Sequence, residues 1–497
     1  DLAPGTQLRH RDEMDTVMLE LRDVPGVTVI VYDQVCAAEK RRRRKRGTLA
    51  DPDQRLWINP AVCEGCGDCS VQSNCIAVEP LETGLGRKRR INQSVCNKDY
   101  SCLKGFCPSF VTLRGAALRK DRPRGGANLS SVPEPVVPRI ERAWNLALAG
   151  VGGTGILTVS AILAMAAHVD GKVPMVLDMA GLAQKGGAVM SHVRISRADR
   201  PIAAPRIAAG SADLVLGADP VVADSKECIL LCSPDRTEVV LNTRLVPVSD
   251  FVRLRDFDFQ PAQVLASIAR AVRSTRHFHD FGALARRLIG DEIGANLMML
   301  GYAWQCGLVP LSGAAIQEAI VLNGTAAEAN AEAFAWGRLL AHDPTAVAAL
   351  SGTAAAPTAP ETLPLDQLVE ARARHLQDYQ DEALARRYRE AVHRIAAAAR
   401  RVRIGADDLV RTVAETYARV LAYKDEYEVA RLYSLPAFRA GLAAEFTGNY
   451  RVALNLAPPL IARKTDADGR PRKREFGPWI LPVLRVLARF KGLRGTR

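Results

Sequence analysis

The segment WNLALAGVGGTGILTVSAILAMAAHVDGKVPMVLD, residues 144–178, decides the fold class of this chain. It begins with an apolar run that ends in a glycine turn at residues 150–155. The apolar stretch 156–171 is long enough for a helix, and residues 173–178 form a second short apolar run. This order predicts a β-α-β unit and therefore a Rossmann-like α/β domain.

The glycine turn, GVGGTG, is the first candidate site. Its glycines let backbone amides approach an anion at the start of a helix, which is how such loops bind phosphate groups. The turn also fits dinucleotide-binding spacing, but the acidic residue expected about 20 positions later is missing, since the nearest candidate is Asp178. A third alternative is a tight turn that packs the helix closely on the sheet. The candidate cofactor-binding residues are Gly150, Gly152, Gly153 and Gly155.

A second glycine segment follows, AQKGGAVMSHVRI, at residues 183–195. Its glycine pair comes directly after Lys185, and His192 and Arg194 follow in the next few residues. A histidine in an apolar strand is more often a hydrogen-bonded core residue than a catalytic base, so we interpret His192 as part of the core. The sequence identifies no catalytic residue.

Composition shifts place the domain boundaries on either side of this segment. Residues 121–138 and 343–364 have the Pro-, Gly- and Ala-rich composition of linkers, and they delimit an α/β domain at 140–342. Apolar residues recur at helical spacing further on, which predicts a helical domain at 365–497. The further strands predicted within the α/β domain are 214–217, 228–232 and 239–242.

Composition also narrows the class of protein. The chain has 497 residues, which corresponds to about three domains. It contains no apolar run of about 18 residues that would predict a membrane span, and no secretory signal, so a cytoplasmic, reducing environment is expected. Seven of the eleven cysteines lie between Cys63 and Cys107, which indicates metal ligands rather than a disulfide framework.

The first cysteine group, CEGCGDCSVQSNC at residues 63–75, has iron-sulfur spacing. Three cysteines at two-residue intervals wrap three thiolates around three corners of a cubane cluster, and the fourth ligand comes from elsewhere. In two-cluster ferredoxins that ligand is the cysteine of a distant Cys-Pro pair. The first predicted cluster is therefore held by Cys63, Cys66, Cys69 and Cys107.

The second group, CNKDYSCLKGFCP at residues 96–108, repeats the spacing with one change. Asp99 stands where the middle thiolate of a second triplet would be, and Cys75 would cross over to complete this site. A carboxylate holds iron less tightly than a thiolate, which predicts a cluster that interconverts between 3Fe-4S and 4Fe-4S. The second ligand set is Cys75, Cys96, Asp99 and Cys102. Two alternatives stay open: Asp99 as a turn residue beside a single cluster, and zinc in place of iron.

Charge is concentrated near the N-terminus of a chain with a net charge of +13. The run KRRRRKRG at residues 40–47 resembles a nucleic-acid patch, but no aromatic stacking platform accompanies it. We interpret it as a solvated basic face, which would also attract an acidic protein partner. Just before it, VPGVTVIVYDQVC at residues 24–36 has the continuous apolar character of a buried parallel strand.

The cysteine groups and glycine segments together resemble the fused indolepyruvate ferredoxin oxidoreductases, a branch of the 2-oxoacid:ferredoxin oxidoreductases that use thiamine diphosphate. In this resemblance residues 1–50 are the tail of the thiamine-diphosphate domain, and 57–113 are a ferredoxin-like 4Fe-4S module. Residues 140–342 are the gamma, or catalytic, domain, and 365–497 are a truncated helical C-terminal domain. The segments that carry the resemblance are 29–47, 63–108, 150–164, 183–195, 330–338, 423–433 and 476–496.

The resemblance implies a multidomain α/β enzyme that oxidatively decarboxylates indolepyruvate to the acyl-CoA and passes electrons through two iron-sulfur clusters to ferredoxin. It implies coenzyme A as co-substrate, a homo-oligomer, and no nucleic-acid or membrane partner. Pyruvate, phenylpyruvate or a branched-chain 2-oxoacid is the alternative substrate, and a zinc-bearing scaffold without enzyme activity is the alternative from another class.

The sequence departs from the family at the thiamine site. The family's diphosphate-metal signature, Gly-Asp-Gly followed by Asn-Asn, is missing, and GDEIGAN at residues 290–296 is only a superficial likeness. Thiamine diphosphate and Mg²⁺ are therefore expected to bind upstream of Asp1. The chain is expected to be a fragment that does not turn over 2-oxoacid by itself.

Overall fold

The computed structural model describes residues 3–119, 132–180, 187–245, 254, 257–275, 277–351, 363–402, 406–458, 469 and 471–494. Large parts of the predicted linkers 121–138 and 343–364 lie outside these residues. The chain divides into two compact units. The first comprises Asp1–Asp51 and Asn97–Asp99, and the second comprises Pro52–Cys96 and Tyr100–Arg497.

The first unit contains the helices Met14–Arg22 and Ala37–Lys45 and the 3-10 turn Arg11–Glu13. The strand predicted at 24–36 is wrong, because these residues pair with no strand and most of their apolar side chains are exposed, Val27 by 97%. A continuous apolar run becomes a buried strand only where strands flank it, and the described residues of this unit form none.

The second unit contains most of the predicted 4Fe-4S segment, residues 57–113, which we call the cysteine module; Asn97–Asp99 of this segment belong to the first unit. Strand β1, Gln54–Ile58, pairs antiparallel with β4, Phe110–Arg114. Strands β2, Val78–Leu81, and β3, Lys88–Ile91, form a hairpin. The cysteines lie around these strands. The module also contains the helix Asp68–Ser73 and the 3-10 turn Ser101–Lys104.

The predicted α/β domain contains a six-stranded mixed sheet. Its strands are β6 Trp144–Val151, β7 Val173–Ala180, β8 Ala188–Ser196, β9 Leu214–Gly217, β10 Glu238–Asn242 and β11 Phe278–His279. The order is β11-β10-β9-β6-β8-β7, in which the first four strands are parallel. The helix Ile156–Val169 joins β6 to β7, but β8 lies between these strands and is antiparallel to both.

One strand predicted in this domain is wrong. Residues 228–232 form no strand: 228 and 229 are the end of the short helix Lys226–Ile229, and a turn follows at 230–231. Ser225 caps this helix, because its side-chain oxygen accepts a hydrogen bond from the amide of Cys228. The apolar residues of this segment still reach the core, since Cys228 and Leu231 are buried. The apolar pattern therefore predicted which of these residues are buried, but it did not predict the conformation of their backbone.

Helices cover the sheet of this domain. The helices Ala295–Gln305 and Ala327–His342 cross closely, because a Cβ on Gly301 would collide with the carbonyl of Phe334 and a Cβ on Gly337 with that of Met298. Two separate apolar clusters form around the sheet. The other helices are Pro220–Ala223, Pro261–Ala271, Phe281–Leu288, Gly313–Asn323 and Pro344–Ser351.

The C-terminal region is not purely helical. Its helices are Leu365–Tyr379, Glu382–Val402, Ala406–Leu421, Glu426–Ser434, Pro436–Glu445 and Ile480–Leu487. It also contributes β12 Phe446–Thr447, β13 Arg451–Leu456 and β14 Arg474–Phe476. Strand β13 pairs antiparallel with β4, so the sheet of the cysteine module is completed in the order β1-β4-β13-β14. Among the described helices, none combines the length and the apolar character needed to cross a membrane.

Candidate metal centre

Two glycines shape the first cysteine group. Gly65 and Gly67 have positive φ angles of 69° and 78°, a conformation that residues with a side chain rarely adopt. A Cβ on Gly65 would collide with the carbonyl of Arg87, so the loop approaches the hairpin closely. The helix Asp68–Ser73 begins directly after Gly67. The C-x2-C-x2-C spacing is therefore folded into a tight turn that ends in a helix.

Electrostatic interactions link the four thiols of the first predicted set. Cys66 and Cys107 share a side-chain hydrogen bond, which raises the pKa of Cys66 and lowers that of Cys107. Burial, and then the charge of Cys107, raises the pKa of Cys63; the same causes raise the pKa of Cys69 to about 12. These four cysteines form no disulfide. The structure therefore brings together two segments that the spacing alone had paired.

Cys107 differs from the other three in its surroundings. Its Sγ lies 2.9 Å from Oγ of Ser109, and this hydrogen bond adds to that of Cys66 in lowering the pKa of Cys107. The charge of Lys473 acts in the same direction. The thiolate form of Cys107 is thus favoured, and the thiolate is the form that binds metal.

Positive side chains surround these thiols, and the sequence analysis did not identify them. Arg89 is fully buried; burial lowers its pKa, and the nearby thiols of Cys69 and Cys63 oppose that shift. Burial, followed by the charge of Lys424, lowers the pKa of Lys88 to about 8. Four thiolates and a cluster carry net negative charge, so cations around them reduce the electrostatic cost of burial. In the sequence these residues look like ordinary members of charge runs.

The second predicted set is brought together only in part. Cys75 and Cys102 are buried in the same apolar cluster as Cys63 and Cys69, and Cys96 packs against that cluster. Asp99 belongs to the other compact unit, with Asn97 and Lys98. For both predicted sets, the described residues contain no group of three or more Cys, His, Asp or Glu side chains that is already placed to hold a metal ion.

The donor set of the first group fits an iron-sulfur cluster. It consists of four cysteine sulfurs from two segments, three of them in the ladder spacing of ferredoxins. Two of the four side chains are buried, and Cys66 is exposed. Buried cations and a hydroxyl hydrogen bond complete the surroundings. These are the features through which a protein sets the charge and hydrogen bonding of a cluster.

The glycine turn of the α/β domain has mixed geometry. The amide of Gly152 donates to the carbonyl of Gly187 at 2.8 Å. Gly150 lies within β6, where a Cβ would come within 2.7 Å of Ile156, so this glycine permits close helix-to-sheet packing. Gly153 and Gly155 have φ angles of 86° and 97° at the start of the helix Ile156–Val169. Only part of the turn therefore keeps the geometry of a phosphate loop.

Neighbouring residues support this turn. The side-chain amide of Asn296 donates to the carbonyl of Thr154 at 2.9 Å, and the hydroxyl of Thr154 donates to the carbonyl of Val151 at 2.7 Å. The residue Asn296 belongs to the GDEIGAN segment, so that segment lies beside the glycine turn. Lys185 lies outside the described residues.

His192 is a buried residue of β8. Its Nδ1 accepts a hydrogen bond from the amide of Ile207 at 2.9 Å, and its Nε2 has no hydrogen-bond partner among the described residues. Burial, and then the charges of Arg206 and Arg194, lowers the pKa of His192. These contacts are those of a neutral core histidine. Arg194 donates to the side chain of Asn145 at 2.9 Å.

Two family models match the chain. Residues 145–340 match the model described as pyruvate ferredoxin/flavodoxin oxidoreductase. Residues 365–497 match a family of unknown function, DUF6537. The α/β domain and the C-terminal region are therefore similar to separate families.

Curated relatives match part of the chain. The indolepyruvate oxidoreductase subunit IorB of Methanothermobacter thermautotrophicus is 29% identical over 161 residues, which are 32% of this chain and 77% of that protein. IorB of Archaeoglobus fulgidus is 39% identical over 106 residues, which are 21% of this chain and 49% of that protein. Together with the match at 145–340, these relatives confirm the predicted resemblance to the 2-oxoacid oxidoreductases of the indolepyruvate type.

Solved structures that align with part of the chain include the gamma subunit of a keto/oxoacid ferredoxin oxidoreductase from Geobacter sulfurreducens. It is 25% identical, and the alignment covers 40% of this chain and 98% of that subunit with a TM-score of 0.28. A 2-oxoglutarate:ferredoxin oxidoreductase from Magnetococcus marinus is 18% identical, with 41% of this chain and 31% of that one covered and a TM-score of 0.31.

Proposed function

We propose that this chain, which is related to the 2-oxoacid:ferredoxin oxidoreductases of the indolepyruvate type, carries the electron-transfer part of such an enzyme. The whole reaction would oxidatively decarboxylate indolepyruvate, or another aryl pyruvate, to the acyl-CoA and pass electrons to ferredoxin. One observation carries the proposal: the loop of Cys63, Cys66 and Cys69 lies against the segment of Cys107, because Cys107 packs on the cluster that contains Cys63 and Cys69, and the Phe106 amide donates to Asp68 at 2.6 Å.

The cysteine module would hold two clusters. Cys63, Cys66, Cys69 and Cys107 are the proposed ligands of the first, which when bound accepts and releases one electron at a time. The second is proposed to use Cys75, Cys96, Asp99 and Cys102. Burial of Cys63 and Cys69 keeps water from two corners of the first site, whereas Cys66 lies on the solvent side. Cys66 is therefore the most solvent-exposed corner of the first site.

The glycine turn is the proposed contact for coenzyme A or for the 2-oxoacid. Gly153 and Gly155 lie at the start of the helix Ile156–Val169, where the amides and the helix dipole favour an anionic group. The amide of Gly152 is already hydrogen-bonded to the carbonyl of Gly187, and Gly150 packs against the side chain of Ile156. These two glycines therefore have structural roles. Thiamine diphosphate and Mg²⁺ are proposed to bind residues other than those of this chain.

Ferredoxin is the proposed electron acceptor. The helix Ala37–Lys45 carries six consecutive basic residues from Lys40 to Lys45, and Glu39 pairs with Arg42 and Arg43 at 2.8 and 3.3 Å. Arg44 donates to the carbonyl of Asn97 at 2.7 Å, which joins the helix to the segment that carries Asp99. A basic surface beside this segment would attract an acidic electron carrier. The relatives are named as subunits, so we propose an oligomeric enzyme.

An anaerobic count of iron and acid-labile sulfide on the purified chain tests the proposal, with EPR spectra before and after reduction. We expect about eight iron atoms per chain for two cubane clusters, or about seven if the second loses one iron. About four would leave one cluster. Zinc without sulfide after anaerobic reconstitution would contradict the proposal and favour a zinc-bearing scaffold.

A further inference from the structure

Of the two family models, only the family of unknown function, DUF6537, matches the C-terminal region. The contacts of this region with the cysteine module point to a role for it. We propose that this region forms a wall of the cysteine module and that the Lys473 ammonium raises the reduction potential of the cluster bound there. The inference rests on the proposed function, because it requires that the cysteines hold iron.

The wall begins with the shared sheet. Strand β13 pairs with β4, which directly follows the Cys107-Pro108 segment. The side chain of Asn455 donates to Oγ1 of Thr112 at 2.9 Å, and both residues are buried. Apolar residues of both regions, including Trp57 and Leu454, form one core cluster. The cysteine module therefore shares its folding core with the C-terminal region.

Two side chains of this region contact the ligand segments directly. Lys424 donates to the carbonyl of Cys63 at 3.1 Å and pairs with Glu64 at 2.6 Å. The hydroxyl of Tyr433 donates to the carbonyl of Pro108 at 2.6 Å. One contact lies on each of the two segments that supply the proposed ligands. The C-terminal region thus fixes the segments relative to each other.

Lys473 occupies a different position from Lys424. Its Nζ lies 3.4 Å from the carbonyl of Cys107 and 4.8 Å from the centre of the Phe110 ring, which is fully buried. Burial lowers the pKa of Lys473, and electrostatic interactions with Cys107, Cys102, Cys69 and Asp68 favour its ammonium form. Lys473 therefore places a positive charge beside members of both cysteine groups, whereas the charge of Lys424 is paired with a carboxylate.

A fixed cation beside a cluster changes its redox equilibrium in a known direction. Reduction adds a negative charge, which a nearby ammonium stabilises, and the effect is larger where water is excluded. The Lys473 side chain is partly buried, and its Nζ lies over the fully buried ring of Phe110. Removing the charge should therefore make the reduced state less favourable and the midpoint potential more negative.

The test is an EPR-monitored redox titration of the full chain, unmodified and with Lys473→Met, which keeps most of the stem over Phe110. We expect the equilibrium constant for reduction to fall about tenfold, which is about 59 mV for one electron. Lys473→Arg keeps the positive charge, so its midpoint potential should differ from that of the unmodified chain by less than a third of that shift. Arg474→Gln removes one charge from the neighbouring, exposed position and should leave the potential unchanged.

Each outcome bears on one proposal. If the unmodified chain holds no iron after anaerobic reconstitution, the proposed function and this inference both fail. If it holds iron and Lys473→Met titrates like the unmodified chain, only this inference fails. If Lys473→Met does not retain iron, retention by Lys473→Arg supports the need for charge, and loss of iron from both variants overturns it.

Discussion

The amide of Phe106, the residue before Cys107, donates a hydrogen bond to the carboxylate of Asp68 at 2.6 Å, although Cys69, Cys75, Cys96 and Cys102 lie between them in the sequence. The contact joins the C-x2-C-x2-C loop to the Cys-Pro segment that precedes β4. It is the arrangement expected if one cluster takes three ligands from the loop and the fourth from the Cys-Pro pair.

Replacing Cys107 by alanine should remove the first cluster. We expect iron content to fall by about four atoms per chain, because a cubane needs its fourth thiolate and the other three ligands are too few. Iron and sulfide analysis after anaerobic purification measures this. Cys232→Ala is the matched control, since Cys232 lies in the α/β domain and donates to the carbonyl of Cys228. Equal iron in both variants would rule out Cys107 as a ligand.

Replacing Asp99 by cysteine should stabilise the second cluster as 4Fe-4S. A thiolate holds the labile iron more tightly than a carboxylate, so the oxidised 3Fe signal in the EPR spectrum should disappear. Asp99→Ala is the control and should keep or increase that signal. An unchanged spectrum in both variants would make Asp99 a turn residue without a ligand role.

Acid should destabilise the chain through His192. The folded pKa of His192 is lowered, so the unfolded state binds the proton more readily and stability falls as pH drops below about 6.5. The slope for one such group is at most about 1.4 kcal/mol per pH unit. The asparagine of His192→Asn offers a hydrogen-bond acceptor near the position of Nδ1, but it does not titrate. The denaturation midpoint of this variant should therefore vary less between pH 7.5 and 5 than that of the unmodified chain. The exposed His168→Asn should keep the dependence of the unmodified chain; equal slopes in all three would contradict the assignment.

Electron transfer to an acidic ferredoxin should depend on salt. Arg42→Gln with Arg43→Gln removes two exposed charges from the helix Ala37–Lys45. In the complete enzyme we expect the association rate at low ionic strength to fall about three- to tenfold, and the difference to vanish at high salt. The control pair Arg386→Gln and Arg387→Gln removes two charges from exposed positions of the helix Glu382–Val402. Equal losses in both pairs would point to net charge rather than to a docking surface.

Substituting Gly337 by alanine should destabilise the α/β domain. The added methyl would collide with the carbonyl of Met298, and the backbone of the two crossing helices must separate to make room. We expect a loss of about 2–3 kcal/mol in the free energy of unfolding, as for other overpacked cores. Denaturant titration measures it. Gly492→Ala, where a Cβ meets no atom within 4 Å, should differ from the unmodified chain by less than about 1 kcal/mol.

Several elements of the α/β domain were predictable from short windows of sequence. The strand at 144–151, the helix that follows it and the strands at 214–217 and 239–242 all appear where the apolar pattern places them. The order of the strands in the sheet was not predictable from these windows, because the position of β8 between β6 and β7 depends on how the chain reverses after β7. The segment 228–232 shows the limit of the apolar pattern, since its first two residues end a short helix that Ser225 caps and the rest form no strand.

By itself the sequence determined the C-x2-C-x2-C spacing of Cys63, Cys66 and Cys69, because such spacing is a local property of the chain, whereas the assignment of the cysteines to two clusters stays a prediction. It also determined the glycine turn between β6 and its helix, since glycine alone tolerates the backbone angles found at Gly153 and Gly155. Only the tertiary structure decided that β13 completes the sheet of the cysteine module and that Lys473 lies beside Cys107. Those contacts join segments more than 300 residues apart, and their stability comes from a shared core that no local pattern encodes.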